Sequence, residues 1–191
     1  MSKLLILGSI AFDQIETPFG KSNSIMGGSA NYIALAAAQF EIPAAVVSIV
    51  GDDYPQEYLH LLTERRIDVS GIEIVHGGKT LFWSGKYHND MNQRDTLDTQ
   101  LNVINDFKPV VPEAFRDAEV LLLGNLHPTL QMDVLNQMTQ RPKLVVMDTM
   151  NYWMNHTWDL LMEVIARVDV LTINDEEARQ LTKEYSLVKA A

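Results

Sequence analysis

Short unbroken apolar runs alternate along this chain with segments whose apolar residues recur every three or four positions. Leu4 to Leu7, Ala45 to Val50, Ile72 to Val75, Val120 to Leu123, Leu144 to Met147 and Val170 to Ile173 are the runs. Uninterrupted Val/Leu/Ile stretches of this length predict strands buried on both faces, the signature of a parallel sheet. Between them, Ser29 to Phe40, Tyr54 to Arg65, Leu130 to Met138, Trp158 to Val168 and a segment opening at Glu176 and running to Leu181 carry helical spacing. Ala30, Ile33, Ala34, Ala37 and Ala38 line one face of the first helix, and small residues there allow close approach to a sheet. The alternation predicts an α/β fold: a doubly wound, mostly parallel sheet with helices on both faces.

One segment breaks the rhythm. From Thr80 to Ile104 there is no helical period; Leu81, Trp83, Gly85 and Tyr87 alternate with Phe82, Ser84, Lys86 and His88. Asn89 to Asn92 reads as a turn, and Leu97, Thr99, Leu101 and Val103 alternate again. This predicts an inserted β-hairpin, which must cover a ligand, a partner subunit or a sheet edge.

The length of 191 residues fits one domain, and 47% hydrophobic with 21% charged residues is ordinary globular composition. A net charge of -10 repels phosphate backbones, so no nucleic-acid partner is expected. With no cysteine, thiol catalysis, disulfides and Cys-based zinc sites are excluded, and the five histidines show no tight ligand spacing. The apolar run after Lys3 breaks at Gly8 and Ser9 and reaches Asp13 at once, so it reads as a strand, not a leader. No stretch approaches the ~18 apolar residues of a membrane span, and no membrane partner is expected.

Candidate chemistry collects where strands end, the edge at which open α/β sheets bind ligands. Asp13 follows the first strand; it is a turn residue or an acceptor for two neighbouring hydroxyls of a polyol. Gly27-Gly28-Ser29-Ala30-Asn31 precedes the Ala-rich helix: a turn with Ser29 as N-cap, or a place where free helix N–H groups meet an oxygen-rich ligand. Gly51-Asp52-Asp53 reads as a turn in which either Asp caps the following helix. Asn174-Asp175-Glu176-Glu177 fits a capping box, or an acidic site organising magnesium and phosphate through water. Asp148-Thr149-Met150-Asn151 is followed by Tyr152, Trp153 and Trp158, aromatics that serve a sugar, a base or local packing.

Taken in order, these pieces resemble the ribokinase-like, PfkB-type carbohydrate kinases. Gly8-Ser9-Ile10-Ala11-Phe12-Asp13 is similar to that family's first strand and substrate Asp, and Gly27-Gly28-Ser29-Ala30-Asn31-Tyr32 to its N-terminal signature. Gly51-Asp52-Asp53 and Asn174-Asp175-Glu176-Glu177-Ala178 match its later motifs, and residues 80–104 fall where it places lid strands. The resemblance implies transfer of the γ-phosphoryl of ATP, with Mg²⁺, to a hydroxyl of a sugar or nucleoside. Substrate would lie against Asp13, Gly27, Gly28, Ser29, Asn31, Tyr32 and Asn125 under Phe82 or Trp83, with Asp148, Asn174 and Glu177 in the magnesium–phosphate network. It also implies a cytoplasmic protein and a homodimer through the lid.

Two departures stand out. Tyr32 occupies the position where the family usually has Asn, leaving Asn31 displaced. The family's Asp-Thr-x-Gly-Ala-Gly-Asp segment, which carries the catalytic base, does not occur. The expectation is therefore a single domain over 1–191 that corresponds to the substrate half, with the C-terminal half absent, no catalytic base in this chain, and no kinase activity of its own. A non-catalytic sugar- or nucleoside-binding module is the alternative.

Overall fold

A computed structural model describes residues 3–91 and 93–191. In chain order the strands are β1 (Leu4–Leu7), β2 (Ala11–Thr17), β3 (Gly20–Lys21), β4 (Ile25–Gly27), β5 (Ala44–Gly51), β6 (Ile67–Val75), β7 (Leu81–Tyr87), β8 (Arg94–Gln100), β9 (Val120–Leu123), β10 (Leu144–Asp148) and β11 (Val170–Thr172). The α-helices are α1 (Ser29–Ala37), α2 (Gln56–Glu64), α3 (Pro128–Gln137), α4 (Asn151–His156), α5 (Trp158–Ile165), α6 (Asp175–Thr182) and α7 (Leu187–Ala190).

Six strands form one sheet in the order β11-β10-β9-β1-β5-β6, with parallel pairing throughout. All four residues of β1 are buried, as its apolar run requires. Leu5 and Leu7 join Val134 and Leu135 of α3 and Leu161 and Val164 of α5 in the core on one face. Leu4 and Ile6 join Ala30, Ala34 and Ala37 of α1 and Leu59 and Leu62 of α2 on the other. The doubly wound layering expected from the pattern is what the chain adopts. After β1 the chain first builds β5 and β6 to one side, then β9 to β11 to the other, so the strand order reverses at β1. Such a switch point opens a crevice at the carboxyl ends of the strands.

The second sheet differs from expectation. The hairpin β7–β8 is present, its turn closed by His88 N–H donating to the Gln93 carbonyl at 2.9 Å; Asn92 of the expected turn lies outside the described residues. Its second strand ends at Gln100, and Asn102–Asp106 is a 3-10 turn instead of further strand, because Val103 dives into the core. The hairpin is also only part of the sheet. β2 pairs parallel with β7, and β3 and β4 pair antiparallel with β2, giving the order β3-β2-β7-β8 with β4 beside β2. Asp13, read as lying in the loop past β1, is therefore inside a lid strand. β2 mixes Phe12, Gln14 and Glu16 with Asp13, Ile15 and Thr17, so neither face is apolar enough to announce a strand. β6 begins at Ile67, earlier than its apolar run, since Asp68, Ser70 and Gly71 interrupt the pattern beside a bulge in β5.

Candidate active site

Gly27 and Gly28 shape the first cluster. A Cβ on Gly27 would lie 2.1 Å from Asp13 Cγ, so the Asp13 carboxylate rests directly on the Gly27 backbone. Gly28 has φ +90°, and a Cβ there would come 2.3 Å from the Ser9 carbonyl oxygen, so glycine is required on both counts. Burial pushes the half-buried Asp13 carboxyl above its ordinary value, and the Gly28 backbone N–H, donating to it, partly offsets this.

Parallel register places Trp83 beside Asp13, and side chains of paired residues share a face. The Trp83 ring lies over Gly85, where a Cβ would meet it at 2.2 Å, and Arg94 stacks 5.9 Å from its centre. Phe82 is one position out of phase: it pairs with Phe12 on the opposite lid face, where the Phe12 ring packs 5.5 Å from Tyr54. Of the two aromatic lid candidates, the fold thus brings Trp83 to the Asp13 side and turns Phe82 away. Tyr32 is 53% exposed, its hydroxyl donates to the Met26 carbonyl at 3.2 Å, and burial with the charges of Asp13 and Tyr87 raises its pKa.

Three expectations for the Gly-Gly-Ser segment need correction. Ser29 is not an N-cap; it is the first helical residue, Gly28 holds the cap position, and no side chain caps the helix. Its Oγ instead fills the space left by Gly8 and Gly124, where a Cβ would approach to 2.7 and 2.6 Å, and accepts from Ser9 N–H at 3.3 Å. The first helix N–H groups are not free: Ser29 N–H donates to Ser9 Oγ at 3.2 Å and Ala30 N–H to the Ser9 carbonyl at 3.0 Å. Asn31 does not face the substrate side. It is fully buried, and its Nδ2 donates to the Gly27 carbonyl at 2.6 Å and to Tyr54 Oη at 3.1 Å.

The Gly-Asp-Asp turn is also not a cap, since Pro55 holds that position for α2. Asp53 Oδ1 accepts from Thr80 N–H at 2.8 Å and from Thr80 Oγ1 at 2.7 Å, and Thr80 Oγ1 accepts from Gly51 N–H at 3.0 Å. Asp52 Oδ2 accepts from Gly77 N–H at 2.8 Å. The turn therefore fastens the base of the lid, a role that spacing alone gives no sign of.

A second cluster lies at the carboxyl ends of β9, β10 and β11. Asn174 Oδ1 accepts from Glu177 N–H at 2.9 Å and Glu177 Oε2 from Asn174 N–H at 3.0 Å, so the capping box is real. It also holds Glu177, 6% exposed, against Asp148. Burial first, then the Glu177 charge, push the Asp148 carboxyl up to about 6. Gln131, missed by sequence reasoning, donates from Nε2 to the carbonyls of Gly124 at 3.0 Å and Asp148 at 3.1 Å, joining β9 to β10. Gln131 Oε1 and Thr149 Oγ1 are buried with no hydrogen-bond partner among the described residues. Asn125 Oδ1 accepts from Trp153 Nε1 at 2.8 Å, and Trp153 packs edge-on against His127 and Tyr152, so this aromatic group is local packing around Asn125. Gly124, touching Ser29 on one side and Gln131 on the other, links the two clusters along one sheet edge.

A family model described as pfkB family carbohydrate kinase matches residues 1–190. The chain belongs to the pfkB carbohydrate kinase family. Within that family it is 28% identical over 200 residues to the cytidine kinase of Thermococcus kodakarensis, covering all of this chain and 68% of that protein. Among solved structures, the nucleoside kinase of Methanocaldococcus jannaschii, an archaeal member of the ribokinase family, superposes with a TM-score of 0.76 at 16% identity, covering 100% of this chain and 67% of that one. The nucleoside kinase of Burkholderia thailandensis in complex with inosine gives 0.74 at 18%, covering 98% and 66%. The ribokinase of Cryptococcus neoformans in complex with ADP gives 0.67 at 16%, covering 96% and 60%. These likenesses show the ribokinase-like fold. The chain spans 60–68% of the length of these four relatives. Among the described residues no helix is long and apolar enough to cross a membrane.

Proposed function

We propose that this chain carries the acceptor side of an ATP-dependent kinase whose substrate is a nucleoside of the cytidine type. The observation that carries the reading is the Asp13 carboxylate, seated on Gly27, facing the Gly28 N–H and in register with Trp83. A carboxylate so placed accepts from two vicinal hydroxyls, as ribose offers. Trp83 and Tyr32 add aromatic surface on the same side, which suits a nucleobase better than a bare sugar. The likeness to a cytidine kinase over the whole chain supports the same choice.

Asp148 and Glu177 suit the magnesium that accompanies ATP. Their mutual repulsion is what an intervening hydrated cation relieves, and Mg²⁺ keeps most of its water. Among the described residues no three acidic or histidine side chains converge as a direct ligand set. Bound magnesium supplies neutralisation of the donor phosphates. The chain's own residues orient the acceptor hydroxyl: Asp13 fixes the sugar, and the lid sheet excludes water above it. By resemblance, the base that takes the hydroxyl proton belongs to the Gly-Ala-Gly-Asp segment that this sequence does not contain. The 191-residue chain is therefore expected to bind nucleoside without transferring phosphate. A sugar- or nucleoside-binding module without catalysis is the second reading.

Calorimetry of the chain with cytidine, inosine and ribose tests the proposal. Cytidine is expected to bind more tightly than ribose, and Asp13→Asn to weaken it at least tenfold without lowering the melting temperature. No binding of any of the three, or equal binding by Asp13→Asn, overturns it. Phosphorylated product formed from ATP and cytidine by the chain alone overturns the claim of inactivity.

A further inference from the structure

We propose that Asn31 and Tyr54 are positioning residues for the acceptor site: their hydrogen bonds fix the Gly27–Gly28 peptide so that its N–H meets the Asp13 carboxylate. The proposal rests on the acceptor reading of Asp13 given above. Asn31 Nδ2 donates to the carbonyl of Gly27, 2.6 Å away, and the next N–H along that same peptide is the Gly28 donor to Asp13. A peptide is planar, so holding its C=O from one side aims its N–H on the other. The peptide needs holding because Gly28, at φ +90°, follows it and glycine restrains the backbone least.

Asn31 is costly where it stands. Its Oδ1 is buried with no partner among the described residues, and an apolar side chain of similar size would avoid that penalty. What the amide supplies is its two donors. One goes to Gly27; the other is taken by Tyr54 Oη at 3.1 Å, which fixes the amide plane. Tyr54 is itself packed on its ring: 2% exposed, with ring centres 5.5 Å from Phe12 and 5.6 Å from Tyr58. Phe12 precedes Asp13 and pairs with Met26, which precedes Gly27. Ring and hydroxyl of Tyr54 therefore reach both sides of the Asp13–Gly27 contact, one by packing and one through Asn31. Neither residue touches the substrate side of Asp13, so both act through the backbone.

The test reads Asp13 directly, with no ligand needed. Carbon-detected NMR titration of the side-chain carboxyls and the Gly28 amide shift are compared in the native chain, Tyr54→Phe, Asn31→Ala and the control Tyr58→Phe. Tyr54→Phe keeps the ring contacts and removes only the hydroxyl, so it carries the test even where Asn31→Ala does not fold. Loss of the aimed N–H raises the Asp13 midpoint and shifts the Gly28 amide in the first two variants, while Tyr58→Phe changes neither. Cytidine affinity, measured in parallel, falls about three- to tenfold in the same two variants, the range expected for one misdirected hydrogen bond. An unchanged Asp13 midpoint and Gly28 shift in folded Tyr54→Phe overturn the proposal, whether or not Asn31→Ala folds. A native chain that binds no nucleoside while its Asp13 midpoint moves in the variants overturns the acceptor reading and leaves the positioning role standing.

Discussion

Burial pushes two carboxylates, Asp13 and Asp148, above the ordinary range, and they answer to pH differently from surface acids. Asp148 has its pKa raised from 3.8 to about 6, so between those values the folded chain holds a proton that the unfolded chain has released. Its contribution to stability is complete below about pH 4 and is lost as pH rises through 6. At neutral pH the ionised group costs about 1–2 kcal/mol after allowing for solvent screening. Asp148→Asn is therefore expected to raise the melting temperature by a few degrees at pH 7.5 and by much less at pH 4.5, measured by calorimetric scans at both values. Gly27 is the complementary case. Gly27→Ala must displace the Asp13 carboxylate or the β4 backbone, at about 1–3 kcal/mol for overpacking. Cytidine affinity is expected to fall more than tenfold, which titration calorimetry would register directly. Asp13, Gly27 and Gly28 stand out as candidates in the sequence because a glycine pair and an acid soon after an apolar run are visible there, although Asp13 lies in β2 and not in a turn. Asn31 could not be assigned: Asn at the start of a helix looks the same whether it points to a ligand or to a carbonyl four residues back. Gln131 left no mark either, as its partners are two backbone carbonyls from distant strands.

At the scale of elements, legibility followed burial. Strands β1 and β5 announced themselves because a strand buried on both faces must be apolar throughout; β9, β10 and β11 carry the same apolar runs although one face of β9 and β10 is only partly covered and β11 is largely exposed. The lid strands β2, β3 and β4 did not, because a half-exposed sheet tolerates Gln14, Glu16 and Lys21 beside Phe12 and Ile15. What roots that sheet is Thr80, buried at the foot of β7, together with Asn102 beyond β8, whose Nδ2 donates to the Thr80 carbonyl at 2.9 Å. Thr80→Val keeps the shape and deletes the hydroxyl, leaving Gly51 N–H unpaired and Asp53 with one donor fewer. The expected loss is about 1–3 kcal/mol. Hydrogen exchange should quicken in β7 and β8 more than in β9 and β10; equal acceleration in all four would count against Thr80 as the lid's anchor.

For the whole molecule, the outer edge of the lid is the feature that bears on association. β8 is exposed along its entire length, with Leu97 and Leu101 uncovered beside charged neighbours. Paired with β7 on one side only, an edge strand of this kind is a template for another. A homodimer through the lid is expected, with sedimentation giving about twice the 21.6 kDa of the chain and Leu97→Lys returning it to the monomer. A native chain that sediments as a monomer at high concentration would dispose of the idea.

The parallel pairing of β2 with β7 carries a kinetic consequence. Gln14 and Ser84, joined across it, stand 70 residues apart in sequence. Closing a loop of that size is slow and brings little reward until its ends are already held near each other, which only the finished α/β body does. The upper sheet should therefore be the last part of the molecule to acquire protection during refolding. Pulse labelling after dilution from denaturant would show β1 and β9 amides shielded first and those of β2 and β7 in a later phase. During that interval the nascent protein has a formed body while the strand that carries Asp13 has yet to find its partner.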